Sequence, residues 1–242
     1  MATLQSNTQR GLNAVLLLWI NLGLAFLGFI SAVFQYYLID SARNGNSVST
    51  NLAEASDMAE SLIAIINLIA YIISIVFFIM WFRRAYRNLH QLTGNLSYTE
   101  GWAAGAWFVP ILSLFRPYQI MKEMYDETDT ILTQTNNIGS SLKKSHLPWW
   151  WALWILGMIT GQLVFRFSRN TNSIDDVHIY TVINLIDAIV NIPLTLLAIK
   201  VVKEYAFIEP ELVSIQQKMN EQQETDSLFT ESEYRRYLDH SE

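Results

Sequence analysis

GWAAGAWFVPILSLFRPY, residues 101–118, is an apolar stretch too short and too broken to cross a membrane. A spanning helix needs roughly 20 apolar residues; the uncharged run Trp102–Phe115 has 14, with Pro110 in its middle. Whether this run crosses decides the side on which every later charge falls. Pro110 removes a backbone donor and clashes with the carbonyl of Ala106, and Pro117 acts likewise toward Ser113. A helix starting near Gly101 should therefore bend or stop near Pro110, and a new one should begin at Pro117, which suits a first helical position. Gly101 and Gly105, extended by Ala104, form a small-xxx-small face expected to let another helix approach closely. Non-helical backbone at membrane depth needs protein or water around it. The segment should thus be re-entrant, tucked against a bundle, or interfacial.

On either side lie four runs that are long enough to cross, at about 12–38, 59–82, 149–167 and 179–201. Hydrophobic residues make up 51% of the chain and charged residues only 16%, below the roughly 25% of soluble domains. The apolar residues come in long blocks, the signature of spans, and each block can satisfy its backbone internally as a helix. The expected fold is all-α: a polytopic membrane domain over 1–208, the broken segment, and an acidic tail over 209–242. The first span runs well past the roughly 7–15 apolar residues of a signal peptide and lacks a small-residue cleavage site, so it is read as retained. There are no cysteines, which excludes disulfides, thiolate metal sites and thiol nucleophiles. The four histidines, His90, His146, His178 and His240, are scattered and form no ligand cluster.

Orientation follows from the basic residues, which favour the cytoplasmic side in short loops. If 101–118 does not cross, 13 of the 16 Lys and Arg residues share one side, and only Arg43, Arg166 and Arg169 lie opposite. If it crosses, the split becomes 6 against 10 and the bias disappears. Four spans in the plasma or inner membrane, with both termini cytoplasmic, is the expected threading. Trp81, Trp102, Trp107, Trp149, Trp150, Trp151 and Trp154 then gather at the inner face. They form either an anchoring belt or a thick aromatic collar around the half-inserted segment.

Three stretches, WFRRAYRNLHQL (81–92), YTEGWAAGAWFVP (98–110) and LFRPYQIMKEMY (114–125), carry a specific likeness. Together they resemble the bacterial membrane family catalogued as domain of unknown function 4328. The matching positions are Arg84, Tyr86, Arg87, Asn88 and Leu89; Gly101, Trp102, Gly105, Trp107, Phe108 and Pro110; and Arg116, Pro117 and Tyr118. The resemblance implies a multi-span helical membrane protein and supplies no activity. These positions, with Arg83, make the inner face a candidate interface for lipid headgroups or a phosphate group.

Beyond Pro117, apolar residues recur at helical spacing from Ile120 to Leu132, with Lys122, Glu123, Asp126, Glu127 and Asp129 opposite. This predicts an amphipathic helix over about 117–133, lying on the membrane surface or packing as a soluble helix on the tail. The tail holds 9 acids and 3 bases, a net of −6, equal to the whole-chain charge, so the membrane body is neutral. Glu209-Pro210-Glu211 suits a helix start, and the composition beyond Glu221 favours disorder.

Within the spans, Asn184, Asp187, Asn191 and Thr195 share one face of the fourth. Ser31, Asn67 and Gln162 fall at a similar depth and are expected to join Asp187 in a polar layer, either as interhelical glue or as an ion site. No nucleophile–base pair or metal set is visible, and no basic aromatic surface suggests nucleic acid. The sequence thus points to a membrane protein that is not an enzyme and needs no cofactor. Its partners would be the bilayer and a membrane or cytoplasmic protein. The alternative is a small transporter or channel component using the polar face of span four.

Overall fold

The computed structural model describes residues 4–136, 142–169 and 172–239, with side chains as far as 230. Among these the chain forms α1 (Thr8–Arg43), α2 (Thr50–His90), α3 (Trp102–Gly105), α4 (Arg116–Asn136), α5 (Leu147–Phe167) and α6 (Ile174–Asp239), with no strand. Four helices are long and apolar enough to cross a membrane, and they contain the four expected spans. Their order across the bundle is α2, α1, α6, α5, since α1 packs on both α2 and α6, and α5 packs on α6. The long stretches of Ile and Leu on α1 and α2 stay exposed, as lipid-facing surfaces should.

The helices overrun the spans. At 1.5 Å per residue the 41 residues of α2 reach about 60 Å, twice the roughly 30 Å of hydrocarbon. At one end the overrun shortens the connection between the first two spans to residues 44–49, closed by Gly45 at φ 82°, the left-handed geometry that ends many helices. At the other, basic end it builds a core. Ala85, Tyr86 and Leu89 of α2 meet Ile120, Met121, Met124 and Tyr125 of α4 and Val202, Tyr205, Ile208, Leu212 and Ile215 of α6. The protein's densest packing therefore lies beyond the lipid-facing band, near the basic residues.

This core decides between the two readings of the amphipathic helix. α4 is not laid on a surface: its apolar face, with Thr128, is buried against α2 and α6. The expected helix start at Pro210 also gives way. α6 runs unbroken through Pro193 and Pro210 to Asp239, so the residues beyond Glu221 are helical as well. A proline costs one backbone bond and a clash with the preceding turn. Burying Leu212 and Ile215, worth about 1.5–3 kcal/mol each, offsets much of that.

The first two turns of the acidic tail thus belong to the folded body. Truncation after Ile208 is expected to abolish monodisperse protein in size-exclusion chromatography, whereas truncation after Glu221 should preserve it. Equal behaviour of the two truncations would show that residues 209–216 are dispensable.

Candidate functional site at the basic end of the bundle

Trp107 and Trp151 anchor the broken segment. The short helix α3 ends at Gly105, turns follow through Pro110, and Leu112–Leu114 form a single 3-10 turn before α4 begins beside Pro117. Trp107 sets its ring edge-on to Phe78 at 5.5 Å, Phe82 at 6.1 Å, Trp151 at 6.1 Å and Trp154 at 5.7 Å. Trp151 stacks on Trp154 and Tyr118, and its indole N–H donates to the Leu114 carbonyl at 3.0 Å. The aromatic collar is a joint around Trp107. Phe108 then shares an apolar groove with Ile72, Ile75, Val76, Ile79 and Met80 of α2, alongside that helix's spanning stretch.

One expectation for this segment fails. Nothing lies within 4 Å of where a side chain would begin on Gly101 or Gly105, so they form no close-approach face. The single turn presents Ala103 and Ala106 to its surroundings instead, both fully buried. The close approach occurs elsewhere: a Cβ on Gly11 would stand 3.0 Å from Ala206 Cβ and 3.4 Å from the Trp81 ring.

The other family positions divide into two networks. In the first, Tyr86 is buried and donates its hydroxyl proton to Glu123 Oε2 at 2.7 Å, while Tyr98 N–H donates back to Tyr86 Oη at 3.3 Å. Glu123 Oε1 accepts from Ser97 N–H at 2.6 Å, and His90 Nε2 lies 2.8 Å from the Tyr98 carbonyl. The loop after α2 is thereby sewn to α4. Burial, then the Glu123 carboxylate, hold the Tyr86 phenol far above its ordinary value.

The second network surrounds Asn88. Its amide N–H groups donate to Glu209 Oε1 at 2.9 Å and to the Gln5 carbonyl at 2.9 Å, and its Oδ1 accepts from Gln5 N–H at 3.2 Å. Asn7 donates to Glu209 Oε2 and to the Trp81 carbonyl, both at 3.1 Å. Leu4 N–H donates to Gln216 Oε1 at 2.8 Å. Residues 4–7 are therefore strapped across the ends of α2 and α6. Glu209 is only 5% exposed; burial pushes its carboxyl up to about 7, against the opposing amides of Asn88 and Asn7 and the Arg84 charge.

The arginines lie around these joints. Arg83 and Arg87 share Glu100 at 3.7 and 3.4 Å. Partial burial, then Arg10, Arg87 and Arg83, push the Arg84 guanidinium below its ordinary value, with Glu209 opposing. Arg116 lies 4.4 Å over the Tyr98 ring and 5.9 Å from Trp102.

The polar residues of the spans do not assemble as expected. Asp187 accepts from Thr160 of α5, and Asn191 donates to the Asp187 carbonyl at 2.9 Å. Asn184 instead donates to Glu60 of α2 at 3.0 Å. Asn67 faces Gly28 of α1, and Gln162 is exposed in a groove of about 340 Å³ with Arg166 and Arg169. Neither has a hydrogen bond to Asp187 among those of the described residues. Among the same residues no group of three or more His, Asp or Glu could hold a metal ion.

Sequence reading missed Asn7, Tyr98, Glu123 and Glu209 as members of these networks. The available signal was the apolar spacing Val202, Tyr205, Ile208, Leu212, Ile215, which marks the face that buries Glu209.

Four spanning-length helices with a built joint at one end define a polytopic α-helical membrane protein. The pattern of the DUF4328 family, a domain of unknown function, matches residues 44–206, and the chain belongs to that family. No curated protein and no solved structure matches it.

Proposed function

We propose that this protein is a non-enzymatic membrane module whose basic end faces the cytoplasm and binds anionic lipid headgroups. The observation that carries this reading is the pairing of a lipid-facing wedge with unbalanced arginines at one end. Phe108, Val109 and Ile111 are exposed next to the spanning part of α2, while Trp107 holds their segment in place. Around it lie Arg10, Arg83, Arg84 and Arg87, with Glu100 and Glu209 among them. Basic residues near an anionic leaflet contribute about 1 kcal/mol each, and the guanidinium fork suits phosphate oxygens. The excess of Lys and Arg at this end supports the cytoplasmic assignment. Asp187 and Asn184 of α6 are bonded to Thr160 of α5 and Glu60 of α2, and Asn191 to a carbonyl of its own helix, which favours packing as their role. The rigid joint also offers a surface on which a membrane or cytoplasmic protein could be assembled.

Native mass spectrometry from mixed phosphatidylglycerol and phosphatidylcholine nanodiscs tests the reading. Wild-type protein is expected to retain phosphatidylglycerol preferentially, and Arg83→Gln/Arg84→Gln/Arg87→Gln to lose that preference while staying folded. Undiminished preference in the triple variant would refute headgroup binding here.

A further inference from the structure

At the end of the bundle opposite the arginines, two carboxylates and an amide converge from different helices. Asp57 and Glu60 stand three residues apart on α2, hence on one face of it. Gln35 of α1 donates its amide N–H to Asp57 Oδ1 at 3.3 Å. From α6, Asn184 donates to Glu60 Oε1 at 3.0 Å, and Tyr180 Oη lies 3.5 Å from the same oxygen. Glu60 lies 23 residues from Arg83, or about 34 Å along α2, which puts it at the far boundary of the hydrocarbon.

Two oxygens in this cluster are unused. Glu60 Oε2 and Gln35 Oε1 are both buried with no hydrogen-bond partner, and Gln35 as a whole is only 7% exposed. A buried, unpaired amide carbonyl and a buried, unpaired carboxylate oxygen are each costly. Among the described residues neither acid forms an ion pair with a Lys or Arg. Arg43, the nearest in sequence, is paired with Asp175 at 2.9 Å, and Arg169 lies over the Phe165 ring of its own helix. The groups acting on Glu60 are Asp57, Tyr180 and Asn184, none of them cationic. Asp57 is exposed and gives the cluster an opening to water.

We propose that Asp57, Glu60 and Gln35 form a binding site for a hard divalent cation of the calcium class. Carboxylate and amide-carbonyl oxygens are the donors such ions take, with water completing the six to eight ligands. A bound divalent ion would meet both unused oxygens and balance the two charges. Asn184 and Tyr180 are positioning residues: they hold Glu60 Oε1 and leave Oε2 for the ion. Two acids and one amide are a sparse set, which places affinity in the weak class of roughly 10⁻⁴–10⁻³ M.

The test uses the full chain in nanodiscs of zwitterionic lipid, with Tb³⁺ as probe. Tyr180 is beside the site and serves as a sensitiser. Expected are saturable tyrosine-sensitised emission, displacement by Ca²⁺ but not by Na⁺, and a Ca²⁺-dependent rise in melting temperature. Glu60→Gln and, separately, Asp57→Asn should each weaken Tb³⁺ binding at least about tenfold and remove the Ca²⁺ effect on melting. Asp175→Asn, an acid at the same end, should change neither. The proposal fails if emission does not saturate, if both site variants bind like wild type, or if Asp175→Asn has the same effect as they do. Should one variant not fold, the other decides.

Discussion

Replacing Trp107 with alanine is expected to destabilise the protein by about 3–5 kcal/mol, the range for truncating a large packed aromatic. Four aromatic rings lose their common neighbour, and with it the edge-on contacts from Phe78 through Trp154. The wedge containing Phe108 would then be tied to the bundle through the small side chains of Ala103 and Ala106 and the hydrogen bond from Trp151 to the Leu114 carbonyl. A discriminating control is available because the Trp107 indole N–H is buried with no hydrogen-bond partner. Phenylalanine keeps an edge-on ring and strands no polar group, so Trp107→Phe should cost well under half as much. Thermal unfolding in nanodiscs measures both. Equal losses for the two substitutions would mean that the joint depends on something other than ring packing.

Asn88→Ala is the second large effect. It removes three hydrogen bonds at once, stranding the Gln5 backbone groups and one oxygen of a buried carboxyl. Leaving a buried acceptor without its donor costs about 1–3 kcal/mol, more where the acceptor is charged. The loss should depend on pH, because Glu209 does. A carboxyl whose folded pKa, here about 7, lies above its ordinary 4.5 binds its proton more tightly when folded. Its contribution to stability is therefore complete below about 4.5 and is lost as pH rises through about 7. Relative to wild type, Glu209→Gln should flatten the pH profile across that window by about 3 kcal/mol, at 1.36 kcal/mol per unit. The same change should recover part of the stability lost in Asn88→Ala above pH 7. Chemical unfolding of the four proteins at pH 5 and pH 8 completes the cycle; a profile for Glu209→Gln parallel to wild type would rule out this carboxyl as the titrating group.

Much of the architecture was legible in the chain. Uncharged runs of spanning length and the one-sided basic residues led to four spans, and the motif around Trp107 led to the family. The ends of the helices were harder to read. Ala85, Tyr86 and Leu89 are interleaved with Arg83, Arg84 and Arg87, so the stretch reads as a charged flank although one side of it is core. Gly101 and Gly105 have the spacing of a contact face, yet the direction in which the chain leaves a one-turn helix turned Ala103 and Ala106 inward. Depth counting placed Asn67, Gln162 and Asp187 at similar heights. Height says nothing about the angle around each helix axis, and the three have different neighbours: Gly28, a groove with Arg166 and Arg169, and Thr160. Glu209 looked like the first residue of a solvated tail because its partners are distant in sequence.

That distance also has a temporal meaning. The bond from Asn7 to Glu209 spans 202 residues, and the one from Asn88 to Glu209 spans 121. On a ribosome the strap at residues 4–7 is made first, but it cannot close until the fourth span has been inserted and α6 has emerged behind it. Until then the buried amides of Asn7 and Asn88 are open to water and to quality-control proteases. The joint therefore closes only after the chain has been made as far as Glu209.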